Sequence, residues 1–72
     1  MKTVKEVELN LELLKDARLK KGYSTRYVSR CLGYDTATWF RKETGERGIS
    51  IEEAILVAKL YEVPVEKLFV LK

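Results

Sequence analysis

Apolar residues along this chain recur three and four positions apart, in short runs cut by glycine, proline and capping residues. That period is the 3.6-residue turn of an amphipathic helix, and the punctuation divides the chain into five short helices. Leu11, Leu14 and Ala17 share a face with Arg18 in a first helix near 11–21. Asn10 is its expected N-cap, Leu9 and Leu14 its hydrophobic staple, and Gly22 the left-handed residue that ends it. Ser24 caps a second helix at about 25–32, with Val28, Cys31 and Leu32 at helical spacing and Gly33 as its stop. Asp35 is expected to cap a third at about 36–44, where Trp39 is the main apolar residue.

The fourth helix has the best-marked start. Ser50-Ile51-Glu52-Glu53 reads as a capping box, and Ile51, Ala54, Ile55, Ala58 and Tyr61 follow as its core-facing stripe. Val63-Pro64 breaks it, and a last short helix is expected from about Pro64 to Phe69, proline being tolerated in a first turn. Residues 3–9 fit two patterns. Val7, Leu9 and Leu11 alternate as a strand would, whereas Val4, Val7, Leu11 and Leu14 suit a helix. The extended reading is preferred, with residues 1–10 an N-terminal arm that pairs with Phe69–Lys72. The expected fold is therefore all-α: a compact five-helix domain over 11–72 with a short extended arm before it.

Length and composition narrow the function. A chain of 72 residues is one domain and buries only roughly 60% of its unfolded surface, so its packing has to be good. No apolar stretch approaches 18 residues and no signal-peptide pattern opens the chain, which gives a cytoplasmic expectation with no membrane partner. One cysteine, Cys31, and no histidine exclude an intrachain disulfide, a zinc constellation and Ser/His or Cys/His catalysis. No catalytic residue, metal, cofactor or small-molecule ligand is expected, and Cys31 is read as a structural thiol.

Charge changes the picture more. The net +3 hides a segregation: residues 15–47 hold nine Lys and Arg against four acids, a net +5, while each flank is −1. A basic middle between slightly acidic ends points to one electropositive face suited to phosphate. The same middle holds two helices of about eight residues, joined by a turn at Gly33, with small Ser29 four residues before it. Two helices crossing steeply over a short turn need a small residue at the crossing and a positive φ at the turn. Val28, Leu32 and Trp39 would fill the wedge, flanked by Tyr23 and Tyr34, with Tyr27 on the surface.

The segments LKDARLKKGYS at 14–24, VSRCLGY at 28–34, TWFRKETG at 38–45 and ISIEEAILVAKLYEVPVEKLF at 49–69 together resemble the lambda-repressor-like, or Xre-type, helix-turn-helix family. The resemblance covers about residues 11–69. It implies a sequence-specific, double-stranded DNA-binding regulator, a repressor of phage or mobile-element type that occludes a promoter by occupancy. It also places Thr36, Ala37, Phe40 and Arg41 at base edges, with Arg41 suited to guanine and Ala37, Phe40 or Thr36 to a thymine methyl. Ser24, Thr25, Arg26, Thr44 and Arg47 fall at phosphate-gripping positions. Arg18 and Glu43 match a family pair that ties the first helix to the end of the third.

Four positions depart from the family pattern. Thr25 stands where glutamine is common, Lys42 where an apolar side chain is, and Ile49 where proline is; Phe40 is an aromatic on the reading face. That leaves Phe40 open between a DNA contact, partial burial and a partner protein. Leu56 and Leu60 lie off the expected stripe of the fourth helix, and Leu68-Phe69-Val70-Leu71 is apolar throughout. Either the arm or a second subunit covers them, and a homodimer through Leu56, Leu60, Phe69 and Leu71 is the preferred reading, with no room for a ligand or protease domain. The rival is a protein-interaction module on the same fold, an antitoxin or anti-repressor using Phe40, Leu56 and Leu60.

Overall fold

The computed structural model describes residues 6–71. A short strand, β1 (Val7–Leu9), leads into α1 (Leu11–Lys20), α2 (Thr25–Cys31), α3 (Thr38–Glu43) and α4 (Ile51–Tyr61). A single 3₁₀ turn (Val65–Leu68) then delivers the chain to β2 (Phe69–Leu71). Among the described residues, no helix is long and apolar enough to cross a membrane.

Three of the helix starts follow from side-chain caps. Asn10 accepts the Leu13 N–H at 2.9 Å, and Ser24 accepts the Tyr27 N–H at 3.0 Å. Ser50 and Glu53 form a reciprocal capping box, Ser50 N–H to Glu53 Oε1 at 2.8 Å and Glu53 N–H to Ser50 Oγ at 3.1 Å. Gly33, at φ +77, turns the chain out of α2 and lets the Tyr34 N–H reach the Ser29 carbonyl at 2.8 Å. At the end of α4 it is Glu62 that takes the left-handed conformation, at φ 59, ahead of the Val63-Pro64 break.

The all-α, five-helix expectation needs correction at the C-terminal end, whereas the expected pairing of the extended arm with the residues from Phe69 onward is present over Val7–Leu9. The fifth element is one 3₁₀ turn, because only four residues separate Pro64 from a strand that begins at Phe69. That strand pairs antiparallel with β1, in the register Val7↔Leu71, Glu8↔Val70 and Leu9↔Phe69. The Asn10 N–H donates to the Leu68 carbonyl at 2.9 Å and extends the tie to the start of α1. The first five positions of the expected arm, and Lys72, lie outside the described residues.

The third helix is also shorter than expected and is capped differently. It begins at Thr38, with Ala37 at the N-cap and no local side-chain cap. Asp35 contributes only its backbone carbonyl, which accepts the Thr38 N–H at 3.0 Å. The missing cap comes from α2: the Ser29 hydroxyl, fully buried, accepts the Trp39 N–H at 2.9 Å. Ser29 is thus both the small residue at the crossing and the acceptor for a helix ten residues on.

Leu14, Ala17, Val28, Trp39, Val57, Ala58, Tyr61 and Leu68 form the core, with Leu9, Leu11, Leu32, Leu60 and Phe69 packed around it. The stripe of α4 is therefore Ala54, Val57, Ala58 and Tyr61. Ile51 and Ile55, expected inside, are 60% and 40% exposed, while Leu60, expected outside, packs on the core. Ile51 sits on the first turn, where the chain is still approaching the core, and Ile55 stands one turn above it on the same edge. Cys31, read as a structural thiol, is exposed.

Ser29→Ala removes the only acceptor shown for a buried N–H, so it should lower stability by about 1–3 kcal/mol despite the nearly unchanged volume. Urea unfolding measures this, and an unchanged midpoint would mean that the Trp39 N–H has another acceptor.

Candidate nucleic-acid interface

Crossing α2 over α3 leaves a groove of about 660 Å³ between α1, the start of α2 and the end of α3, lined by Lys15, Arg18, Ser24, Thr25, Phe40, Glu43 and Thr44. Its floor is a buried ionic network. Arg18 grips Glu43 side-on, with Nε to Oε2 at 2.9 Å and Nη2 to Oε1 at 2.8 Å. Arg18 Nη1 donates to the Tyr23 carbonyl at 2.7 Å, and the Trp39 indole N–H donates to Glu43 Oε2 at 2.9 Å. The Glu43 hydrogen bond raises the Arg18 pKa against the opposing effect of burial, so the guanidinium stays charged. Of its five N–H groups, one on each terminal nitrogen remains beyond these contacts, at a side chain that lines the groove.

A second shielded cluster closes the α3–α4 loop. Lys42 Nζ lies 3.1 Å from Glu53 Oε2 and donates to the Gly48 carbonyl at 3.0 Å, and the Tyr34 hydroxyl donates to the same Glu53 carboxylate. Burial alone would push the Glu53 carboxyl up, but the Ser50 N–H, the Tyr34 hydroxyl and the Lys42 ammonium hold it down at about 2. Accepted by that carboxylate, the Tyr34 hydroxyl is pushed up to about 12. Lys42, which stands where the family often has an apolar side chain, lies 5.6 Å from the Tyr34 ring centroid and is mostly shielded.

The expected DNA-facing residues fall into three groups. Ser24, Thr25, Phe40 and Thr44 meet around the groove. Thr36 and Ala37 are exposed in the turn before α3 rather than in its first turn, and Arg41 is exposed on α3 itself. Arg26, on α2, and Arg47, in the loop after α3, are exposed and share no contact with that groove. Arg41 lies 3.9 Å from Glu46, both side chains being at least half exposed, which makes a weak pair. Phe40 is 55% exposed.

Lys15 was counted in the basic middle but not assigned to the site. Its place three residues before Arg18, on the same side of α1, was the available signal. Ion pairs occupy Arg18, Lys21, Lys42 and, loosely, Arg41. Lys15, Lys20, Arg26, Arg30 and Arg47 have no acidic partner among the described residues.

Away from this face, Leu56 and Leu71 are exposed, whereas Leu60 and Phe69 are half-buried against the core. Val7, Ile51, Val65, Phe69, Val70 and Leu71 line a shallow apolar groove of about 340 Å³ beside the sheet.

Two helices across a glycine turn, with the second seated on the first helix of the chain, fit a helix-turn-helix domain. No family model and no solved structure matches the chain. A protein of Thermococcus gammatolerans, named as a candidate HTH-type transcriptional regulatory protein, is 34% identical over 59 residues, or 82% of this chain and 19% of that relative. A protein of Thermococcus kodakarensis, named in the same way, is 32% identical over 56 residues, or 78% of this chain and 18% of that relative. The chain thus spans about a fifth of the length of these relatives. The likeness supports a helix-turn-helix regulator in general and does not single out the Xre type.

Breaking a shielded ion pair from one side leaves the other charge stranded. Arg18→Met and Glu43→Gln, alone and together, should therefore show a coupling of at least about 0.5 kcal/mol in denaturant unfolding. Additive losses would mean that the contact contributes nothing beyond packing.

Proposed function

We propose that this chain is a sequence-specific, double-stranded DNA-binding transcriptional regulator and not an enzyme. The observation that carries the reading is the groove beneath Phe40, whose buried Arg18 stands under a rim of Lys15, Ser24, Thr25 and Thr44. Hydroxyls, an ammonium and the outward N–H groups of a guanidinium fixed by Glu43, which also lines the groove, suit a phosphate. The names of the two archaeal relatives point the same way. In this reading Arg41 and Phe40, with Thr36 and Ala37 in the preceding turn, face base edges. Ser24, Thr25, Arg26, Thr44 and Arg47 hold the sugar-phosphate backbone. Repression by occupying a promoter, in the manner of the Xre type, is the simplest outcome for such a domain.

Binding to a random duplex, followed by fluorescence anisotropy over a salt series, tests this reading. Log K should fall by roughly 0.9 per phosphate neutralised for each tenfold rise in salt. On a selected site, Arg41→Ala should cost roughly 1–3 kcal/mol and relax preference at one base pair, while Arg47→Ala weakens all sequences alike. No duplex binding at low salt would remove DNA from the function.

The active species is proposed to be a homodimer formed through the C-terminal region, where Leu56 and Leu71 are exposed and Leu60 and Phe69 reach the surface in part. A two-fold pair would place two reading helices roughly 34 Å apart, one turn of DNA. Leu56→Glu, on an exposed position, should leave the circular dichroism unchanged but yield a monomer in sedimentation. A wild type that sediments as a monomer at high concentration would rule out the dimer.

A further inference from the structure

Seven residues, 44–50, connect α3 to α4 and carry Thr44 and Arg47. Their first half is tied to the end of α3: the Thr44 hydroxyl donates to the Arg41 carbonyl at 3.0 Å, and the Arg47 N–H reaches the same carbonyl at 3.2 Å. The second half is held at three points: Ile49 packs on the core, Ser50 shares the capping box with Glu53, and Lys42 holds Gly48. Lys42 Nζ binds the Gly48 carbonyl, immediately after Arg47, and the Glu53 carboxylate at the start of α4. The Tyr34 hydroxyl, from the turn ahead of α3, donates to the same carboxylate. One ammonium therefore joins the α2–α3 turn, the loop and α4. Lys42 and Glu53 side chains are only 14% and 13% exposed, so the charge is spent inside the protein.

We propose that Lys42 is a positioning residue that acts on DNA through Arg47: its clasp on Gly48 and Glu53 sets the loop so that Arg47 meets a phosphate, and Lys42 itself touches none. The proposal rests on the DNA-binding reading above. A mobile loop would have to be ordered at the moment of binding, and the clasp does that beforehand. The direct rival is that Lys42, one of the nine cations of the basic middle, is itself a phosphate contact.

Glu53→Gln separates the two, because they predict opposite signs. Glutamine still suits the capping box, so α4 keeps its start. If Lys42 is a phosphate contact, neutralising Glu53 frees it, and the duplex binds more tightly with a steeper salt dependence. If Lys42 is a clasp, Glu53→Gln loosens the loop, binding weakens and the salt slope falls. The fall should approach that of Arg47→Ala, about 0.9 in log K per log salt, which is close to eightfold between 1 M and 0.1 M salt. Lys42→Met should act in the same direction, and neither variant should weaken a protein that already carries Arg47→Ala. Tighter binding by Glu53→Gln, wild-type binding by Lys42→Met, or additive losses with Arg47→Ala would each overturn the proposal while leaving DNA binding in place. Should Lys42→Met fail to fold, Glu53→Gln and its combination with Arg47→Ala decide the matter alone. A wild type that binds no duplex at low salt would instead sink the underlying reading, a result distinct from all of these.

Discussion

The third helix is six residues long, far below the length at which a helix holds itself in water, so everything about it depends on what grips it from outside. The grip is the Glu43 carboxylate. It accepts from Arg18 on one side and from the Trp39 indole on the other, so one group fixes the end of α3 to α1 and locks the largest core side chain. At the opposite end, Ser29 receives the Trp39 N–H. Trp39 is thus held by its backbone, its ring nitrogen and its buried ring together. A buried pair of this kind is poor evidence of net stability, since desolvation offsets most of the attraction. What it gives is a single angle for α3, and that angle shapes the groove above it.

The rest of the core serves the same frame. Val57, Ala58 and Tyr61 of α4 share one buried cluster with Leu14, Val28, Trp39 and Leu68. Ala54 and Ala58 are the small residues on the buried face of α4. The two-stranded sheet binds the two ends of the described chain together. It fixes the entry to α1 through the Asn10–Leu68 hydrogen bond, and so the position of Arg18 two turns later.

Much of this was legible because it was local. Asn10, Ser24 and Ser50 announce their helices three residues ahead, and a cap needs nothing from the rest of the chain. Asp35 misled for the converse reason. It has the right chemistry, but the helix begins at Thr38 with Ala37 as N-cap, two residues past it, and Ser29 of α2 accepts the Trp39 N–H instead, so tertiary geometry overrode local pattern. The stripe of α4 was read in part: Ala54, Ala58 and Tyr61 are buried as expected. Several faces of this helix are apolar, so periodicity could not choose between Ile51 with Ile55 and Val57. Val65–Leu68 carries helical residues but lacks the room, because the strand pairing claims Phe69 onward. Of the candidate site, Ser24, Thr25, Phe40 and Thr44 came from the family resemblance, and they line one groove. Lys15 was readable, but only once Arg18 was given a direction.

Charge counting along a sequence is a weaker guide than burial of the partner. The +5 of residues 15–47 includes Lys21 and Lys42, whose partners Glu62 and Glu53 lie outside that segment, so the effective excess falls by two, to +3. The two partnerships differ in kind. Glu62 is largely exposed, and its hold on Lys21 is screened by solvent and salt, so a phosphate competes with it readily. Glu53 is shielded and takes hydrogen bonds from Tyr34, Ser50 and Lys42, so releasing Lys42 would strand a carboxylate in a poorly hydrated site. Arg41 belongs with Lys21, since Glu46 lies 3.9 Å away in open solvent. The cations of this face thus separate into those that build the frame, Arg18 and Lys42, and those that an approaching polyanion can recruit at little cost. On the DNA-binding reading proposed above, a six-residue α3 offers few base contacts, and discrimination would rest on how rigidly the first group holds the second in register.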